Sequence, residues 1–524
     1  MKYSHSAPLL LLFVFLALPG WSTTIDSLVR WNEINFSSTF ERTVLTSSLK
    51  KSEKDYLKLF LANSLTGEAE MKLFEQKINE TIREIESSGA LKKKNDKKVK
   101  QIYNMVHDRF LIKYQLENRF YEIIKTGDYN CVTATALYAI IFEKLSIPYT
   151  IKEEPTHVYL VAYPNTENIL VETTTPFSGL LAFDASFKAN YVNTLRNQKI
   201  IGGTESLGSV DELFNKYYFG KENITLSQLV GIHYMNDGLF KRDHDDLAGA
   251  YEQLKKAYLY YPNTRSQYLL MVFTAAQLEN SDLDPLKRAA LIGQISRFKS
   301  GGITTEMVKG EFHLISQTVL SKNNDKEMYR KCYEETLKYI TDPEVANEIS
   351  YIYNYESGRV FYNQGNYTRA KPFFSNALSL QPNNVDLGGV FVGCLAQTFR
   401  NERNNSAIVD SLEFYKRKFK SLEQNNNFNS IMALAYIIEC GNSYQKGNAT
   451  KGEKYRLLFE GMYDSAMDIT ILSPHDVGNA YSNASVYYFK KGQRDKAKQL
   501  LDKGLKIVPD NYELKTRKQM INGG

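Results

Sequence analysis

The sequence predicts two kinds of architecture in succession: an α+β unit with a helical preamble, followed by an all-α solenoid of paired helices. Three observations carry this prediction. An apolar, helix-favouring run opened by Cys131 is followed by short alternating stretches at 149–154, 157–163 and 169–173, the period expected of strands. From about residue 225 the strand signals stop and helical patterns continue almost to the end. Residues 351–384 and 478–511 repeat one arrangement of small and large residues. At 524 residues the chain exceeds what one core usually organises, so two or three units are expected.

The N-terminus reads as an export signal over residues 1–22. Lys2 and His5 precede an apolar core from Pro8 to Leu18, and Pro19-Gly20-Trp21-Ser22 follows with small residues suited to cleavage. The core is short for a bilayer span, and an uncleaved anchor is the competing reading. No later apolar run is long enough for a membrane helix, so the mature chain is expected outside the cytoplasm, periplasmic or secreted, with no integral membrane segment. Residues 24–98 form the helical preamble. Phe40, Val44 and Leu45 begin one stripe, and Met71, Leu73, Phe74, Ile78, Ile82 and Ile85 recur at three- and four-residue steps until Ser87-Ser88-Gly89. The run Lys92-Lys93-Lys94-Asn95-Asp96-Lys97-Lys98 reads as a solvated loop before a helix from Val99. With a net charge of only +6 and acidic residues mixed throughout, no nucleic-acid partner is expected.

The α+β unit is expected over residues 99–222. Gly127-Asp128 forms a turn before Tyr129-Asn130-Cys131, and a thiol at a helix start feels unpaired N–H groups and the positive dipole end, which favour its thiolate. His157 opens one strand-like run and Glu172 ends the next, so antiparallel pairing sets them on one face. Cysteine, histidine and carboxylate are the parts of a nucleophile, a base and its orienter. His107 in the preceding helix reads as a packing or surface residue. Residues 101 to about 180 resemble the transglutaminase-like superfamily through Tyr-Asn-Cys-Val-Thr-Ala-Thr-Ala-Leu-Tyr, Ile147-Pro148, Pro155 with His157-Val158, and Val171-Glu172-Thr173-Thr174. The resemblance implies a papain-like arrangement with Cys131, His157 and Glu172 as catalytic triad. Family members commonly carry aspartate where this chain has Glu172, and Asp184 and Glu167 are alternative orienters. An oxyanion hole would use the Cys131 amide and one of Gln115, Asn118 or Asn130.

The solenoid is expected over residues 225–520. In 351–384 the pattern is Gly358, Phe361, Gly365, Tyr367, Ala370, Phe374, Ala377, Leu378 and Pro382. In 478–511 it is Ser485, Tyr488, Gly492, Ala497, Leu501, Gly504, Leu505 and Pro509. These positions resemble a tetratricopeptide repeat, a two-helix unit of about 34 residues. Residues 231–264 are a looser copy through Gly238, Ala250, Leu254, Ala257 and Pro262, while 305–343, 390–420 and 430–470 match poorly.

Two functions fit. One is a thiol enzyme acting on peptide or carboxamide bonds of a protein recruited by the repeats. Hydrolysis is favoured over cross-linking, because Trp31 is the sole tryptophan left after signal removal and no indole shields Cys131. The other is a secreted adaptor whose repeat groove binds a protein or peptide, with a degenerate thiol domain. No cofactor is expected, and no metal: His244-Asp245-Asp246 lacks further ligands at a diagnostic spacing. Of Cys131, Cys332, Cys394 and Cys440, one pair apart from Cys131 could bridge.

Overall fold

Apolar side chains at helical spacing, closed by caps and turn residues, account for most of the chain. The structure, a computed structural model, describes residues 28–50, 54–64, 67–154, 157–173, 185–197, 200–203, 207–218, 223–463 and 471–523. The export signal and Asp184 lie outside the described residues. The chain is mostly helical. Its contacts divide it into two units, Met1–Val308 with Lys338–Asp342 and Lys309–Leu337 with Pro343–Gly524.

The first unit begins with α1 (Thr39–Lys50), α2 (Tyr56–Leu61), α3 (Glu68–Ser87) and α4 (Asn95–Phe110). In α3, Met71, Phe74, Ile78 and Ile85 face the core, but Leu73 is exposed. The chain leaves α3 through Gly89, whose φ of 72° suits a residue without Cβ. Helix α4 starts four residues before Val99, so the end of the lysine run is helical rather than loop. Apolar periodicity sees only the buried face, and the polar first turn of α4 has none. Lys98 there donates to Asn95 Oδ1 and the Tyr163 hydroxyl, each at 3.1 Å.

Two short parallel strands, β1 (Lys113–Tyr114) and β2 (Asp128–Tyr129), flank α5 (Phe120–Lys125). Helix α6 (Cys131–Lys144) follows, and then β3 (Tyr149–Glu154), β4 (His157–Ala162) and β5 (Ile169–Val171). After α7 (Ala185–Asn197) and α8 (Val210–Tyr218), β6 (Asn223–Ile224) completes an antiparallel sheet of order β5-β4-β3-β6. Tyr191, Val192, Leu195, Leu213 and Phe214 give α7 and α8 a small core of their own.

The same unit continues through α9 (Leu226–Asp243), α10 (Leu247–Tyr260), α11 (Thr264–Leu278) and α12 (Pro285–Ile295). Buried ion pairs tie these helices to what precedes them. Arg265 on α11 lies 2.7 Å from Glu153 on β3, both almost fully buried, and the Tyr261 hydroxyl donates to the same carboxylate at 3.0 Å. Lys256 on α10 donates to both oxygens of buried Glu41 on α1 at 2.9 Å.

The second unit takes in the rest of α13 (Thr305–Ile315), a π-helical turn (Ser316–Lys322) and most of α14 (Lys326–Tyr339). Helices α15 (Pro343–Asn363), α16 (Tyr367–Leu380), α17 (Val385–Phe399), α18 (Asn405–Lys418), α19 (Asn426–Gln445), α20 (Ala449–Met462), α21 (Pro474–Lys490), α22 (Arg494–Ile507) and α23 (Tyr512–Gly523) follow. One continuous core runs from Ala370 to Leu514. Helices α15–α16 and α21–α22 pair as the sequence repeats require. A Cβ on Gly358 would stand 2.8 Å from the Phe374 ring, so only glycine lets these helices close. The same device closes α19–α20, where a Cβ on Gly452 would stand 2.7 Å from the Tyr444 ring. Residues 430–470 therefore contain a hairpin that sequence matching underrates, because glycine sits on the second helix and the aromatic on the first. Among the described residues no helix is long and apolar enough to cross a membrane.

Two substitutions test this packing by urea unfolding. Arg265→Met strands the buried Glu153 carboxylate and is expected to destabilise the first unit by about 3–5 kcal/mol, with the Glu153→Met partner change recovering most of the loss. Gly358→Val overpacks against Phe374 and is expected to cost about 1–3 kcal/mol in the second.

Candidate thiol site

The site is built on the start of α6, which is held by a closed set of side-chain hydrogen bonds. Asn130 caps the helix by accepting from the Thr133 amide at 2.9 Å, and Thr133 Oγ1 accepts from the Asn130 amide at 2.9 Å. The remaining Asn130 donors go to the Leu116 and Asn118 carbonyls. Asn118 Oδ1 accepts from Thr133 Oγ1 at 2.8 Å, and its amide donates to the Asp128 carbonyl and Glu122. Cys131 is thereby fixed as the first helical residue.

Helix α6 is buried on every side from Cys131 to Phe142, and Thr135 Oγ1 ties it to β4 by donating to the Val158 carbonyl at 3.1 Å. Burial changes the chemistry expected of the thiol. Cys131 is 2% exposed, and desolvation pushes its pKa up to about 11, outweighing the Val158, Val132 and Cys131 backbone amides that favour the thiolate. The amides at the helix start do favour the thiolate, as its position implies, and desolvation opposes them by more. The resting residue is a thiol, not a poised thiolate.

His157 and Glu172 come together. The imidazole Nε2 lies 2.9 and 3.0 Å from the two Glu172 oxygens. The register pairs Leu160 with Val171, so Glu172 emerges on the face that carries His157 and Tyr159. Tyr159 stacks on the imidazole, with ring centroids 5.7 Å apart. A carboxylate can only accept from Nε2, which leaves Nδ1 of a neutral ring as the acceptor. Among the described residues no hydrogen bond joins Cys131 to His157. The sulfur instead feels the amide of Val158, the next residue on β4.

Two of the three oxyanion candidates are spent, since Asn118 and Asn130 use their amides to hold the cap. Gln115 is exposed, its backbone amide donates to the Tyr129 carbonyl at 2.8 Å, and its side chain makes no hydrogen bond among the described residues. Tyr114 and Tyr129 form an edge-to-face pair beside it, 5.8 Å between centroids. Tyr129 belongs to the Tyr-Asn-Cys motif, whereas Tyr114 and Tyr159 were not singled out, although the two-residue step from His157 to Tyr159 was there to read.

The other candidates lie elsewhere. Glu167 accepts from Asn95 at 2.8 Å in an exposed loop, and His107 packs its ring on Tyr103 in α4. His244 pairs with Glu117 at 3.0 Å while Asp246 caps α10. All four cysteines are free and buried. Among the described residues no group of three His, Cys, Asp or Glu side chains is placed to hold a metal.

The tetratricopeptide repeat family matches residues 351–384 and 478–511. No curated protein matches the chain. Among solved structures, a monomeric mutant of IFIT1 with m7Gppp-AAAA is similar at 13% identity over 85% of this chain and 95% of that one, with a TM-score of 0.16. A superposition that loose says nothing about what this chain binds. The repeats themselves are a protein-interaction architecture.

Because burial pushes the Cys131 pKa up to about 11, its alkylation by iodoacetamide is expected to rise roughly tenfold per pH unit between pH 7 and 10. Mass spectrometry of the Cys131 peptide reads the profile. A rate flat below pH 7 would mean that the thiolate forms in the resting protein.

Proposed function

We propose that the protein is an exported thiol enzyme of transglutaminase-like type that acts on carboxamide or peptide bonds of a protein recruited by its repeats. The observation that carries this reading is the His157–Glu172 pair, which orients an imidazole on the strand whose next amide reaches the Cys131 sulfur. The short antiparallel sheet with the cysteine helix against β4 supports it, as does the apolar N-terminal run for export.

Since Cys131 rests as a thiol, His157 acts as general base during attack rather than as partner of a preformed ion pair. The sulfur bonds to the carbonyl carbon while its proton passes to Nδ1. The tetrahedral oxyanion is held by the Cys131 amide, with Gln115 the remaining side-chain donor. Collapse expels the amine, which takes the proton back from His157, and leaves a thioester. Water then attacks with the same base and releases the acid. Glu172 holds the ring through Nε2 and stabilises its charged form.

A second reading has its own support: a sulfur pushed to about pKa 11 and without a hydrogen bond to His157 suits a structural cysteine in a non-catalytic adaptor. Ammonia release from dimethylcasein by the chain starting at residue 23 separates the two. Activity is expected to vanish in Cys131→Ala and to fall about 10²- to 10⁴-fold in kcat for Glu172→Gln. Turnover unchanged in Cys131→Ala, or none in the wild type while a protein partner still binds, leaves the adaptor.

A further inference from the structure

Glu172 holds the His157 imidazole at one atom. Nε2 lies 2.9 and 3.0 Å from its two oxygens, and among the described residues the ring makes no other hydrogen bond. A ring fixed at Cβ and at Nε2 still turns about the line joining them, and that turn swings Nδ1 through an arc. A general base needs Nδ1 in one direction. The missing restraint has to come from a contact on the face of the ring.

Tyr159 supplies that contact. Residues two apart on β4 share a face of the sheet, and the Tyr159 ring is inclined only 25° to the imidazole, with centroids 5.7 Å apart. The tyrosine is itself tethered. Glu154 stands opposite His157 in the β3–β4 register, and its carboxylate accepts from the Tyr159 hydroxyl at 2.8 Å. Burial first, and then the bond to Glu154, push the Tyr159 pKa above the usual phenol value, so the hydroxyl keeps the proton it donates. The His157 side chain is only 12% exposed, so neighbouring groups rather than water bound its motion. Tyr159 is not a core residue. Val158, Leu160 and Ala162 fill the buried face of β4, while His157 and Tyr159 lie half-buried on the other.

We propose that Tyr159, tethered by Glu154, is a positioning residue for His157: its ring blocks rotation of the imidazole about the Cβ–Nε2 line and keeps Nδ1 in one direction. Its effect on turnover rests on the reading of His157 as general base, whereas the restraint itself is a property of the resting protein.

Carbon-13 relaxation of the His157 ring reads the restraint without any substrate. The sample is the chain starting at residue 23, labelled at its histidines, and the signal missing from His157→Gln identifies the ring. The wild-type ring is expected to be as ordered as rigid backbone, with an order parameter of about 0.85, and to fall below about 0.6 in Tyr159→Leu. Tyr159→Phe keeps the face and loses the tether, so it is expected between these values. Glu154→Ala is expected to match it, with the double variant no worse than either alone. Because the substituted face lies off the core, the thermal midpoint is expected to stay unchanged. In ammonia release from dimethylcasein, kcat is expected to fall at least about tenfold in Tyr159→Leu and about threefold in Tyr159→Phe, with KM unchanged. A His157 ring as ordered in Tyr159→Leu as in the wild type overturns the proposal. Order lost in Tyr159→Leu supports it even where the wild type shows no turnover, an outcome that counts against the enzyme reading alone.

Discussion

The Glu153–Arg265 ion pair is the constraint on which the first unit turns. Glu153 lies on β3, one of the two internal strands of the sheet, and Arg265 lies at the start of α11. With both groups shut away from water, neither charge is tolerable without the other, so sheet and helices hold one relation or lose the pair. Tyr261, from the link between α10 and α11, donates to the same carboxylate and closes the arrangement. Glu41 with Lys256 does the same for the N-terminal segment against α10. Within the first unit the short sheet and the N-terminal segment are therefore joined to the helices from α10 onward by buried charge, although their sequence patterns differ in kind.

That joining has a consequence for the thiol site. The sheet that presents His157 and Glu172 is held on one edge by β6 and through Glu153 by α11, while the start of the cysteine helix is pinned by Asn118, Asn130 and Thr133 and its body is tied to β4 through Thr135. The imidazole is held by Glu172 and the sulfur by the start of α6, and among the described residues no hydrogen bond joins the two. Burying α6 all round gives it a rigid place at the cost of a thiol that resists ionisation. With Nε2 bonded to Glu172, a neutral imidazole keeps Nδ1 as an acceptor.

In the second unit the organising constraint is distance between backbones. Gly358 against Phe374 and Gly452 against Tyr444 each leave room for a ring and nothing more. Paired helices that close in this way expose a continuous outer surface built from many short units, which is how a repeat architecture presents a partner-binding face.

Repeats, helix stripes and the succession of one architecture by another were legible in the residues, because they follow from local spacing: Gly358 with Phe374, or Met71 with Phe74 and Ile78. The His157–Glu172 pairing was legible too, since alternation along two short strands and a short link leave few registers. What spacing could not decide was set by burial and by partners distant in the chain. Leu73 fits its stripe and still faces water; Lys97 and Lys98 are helical without an apolar pattern; and glycine and aromatic exchange helices in the α19–α20 hairpin. The state of Cys131 is the sharpest case. Its position at a helix start is written in Asn130 and Thr133, but its proton is held by desolvation from elements packed around α6. Desolvation is a property of surroundings, and only the tertiary structure supplies them.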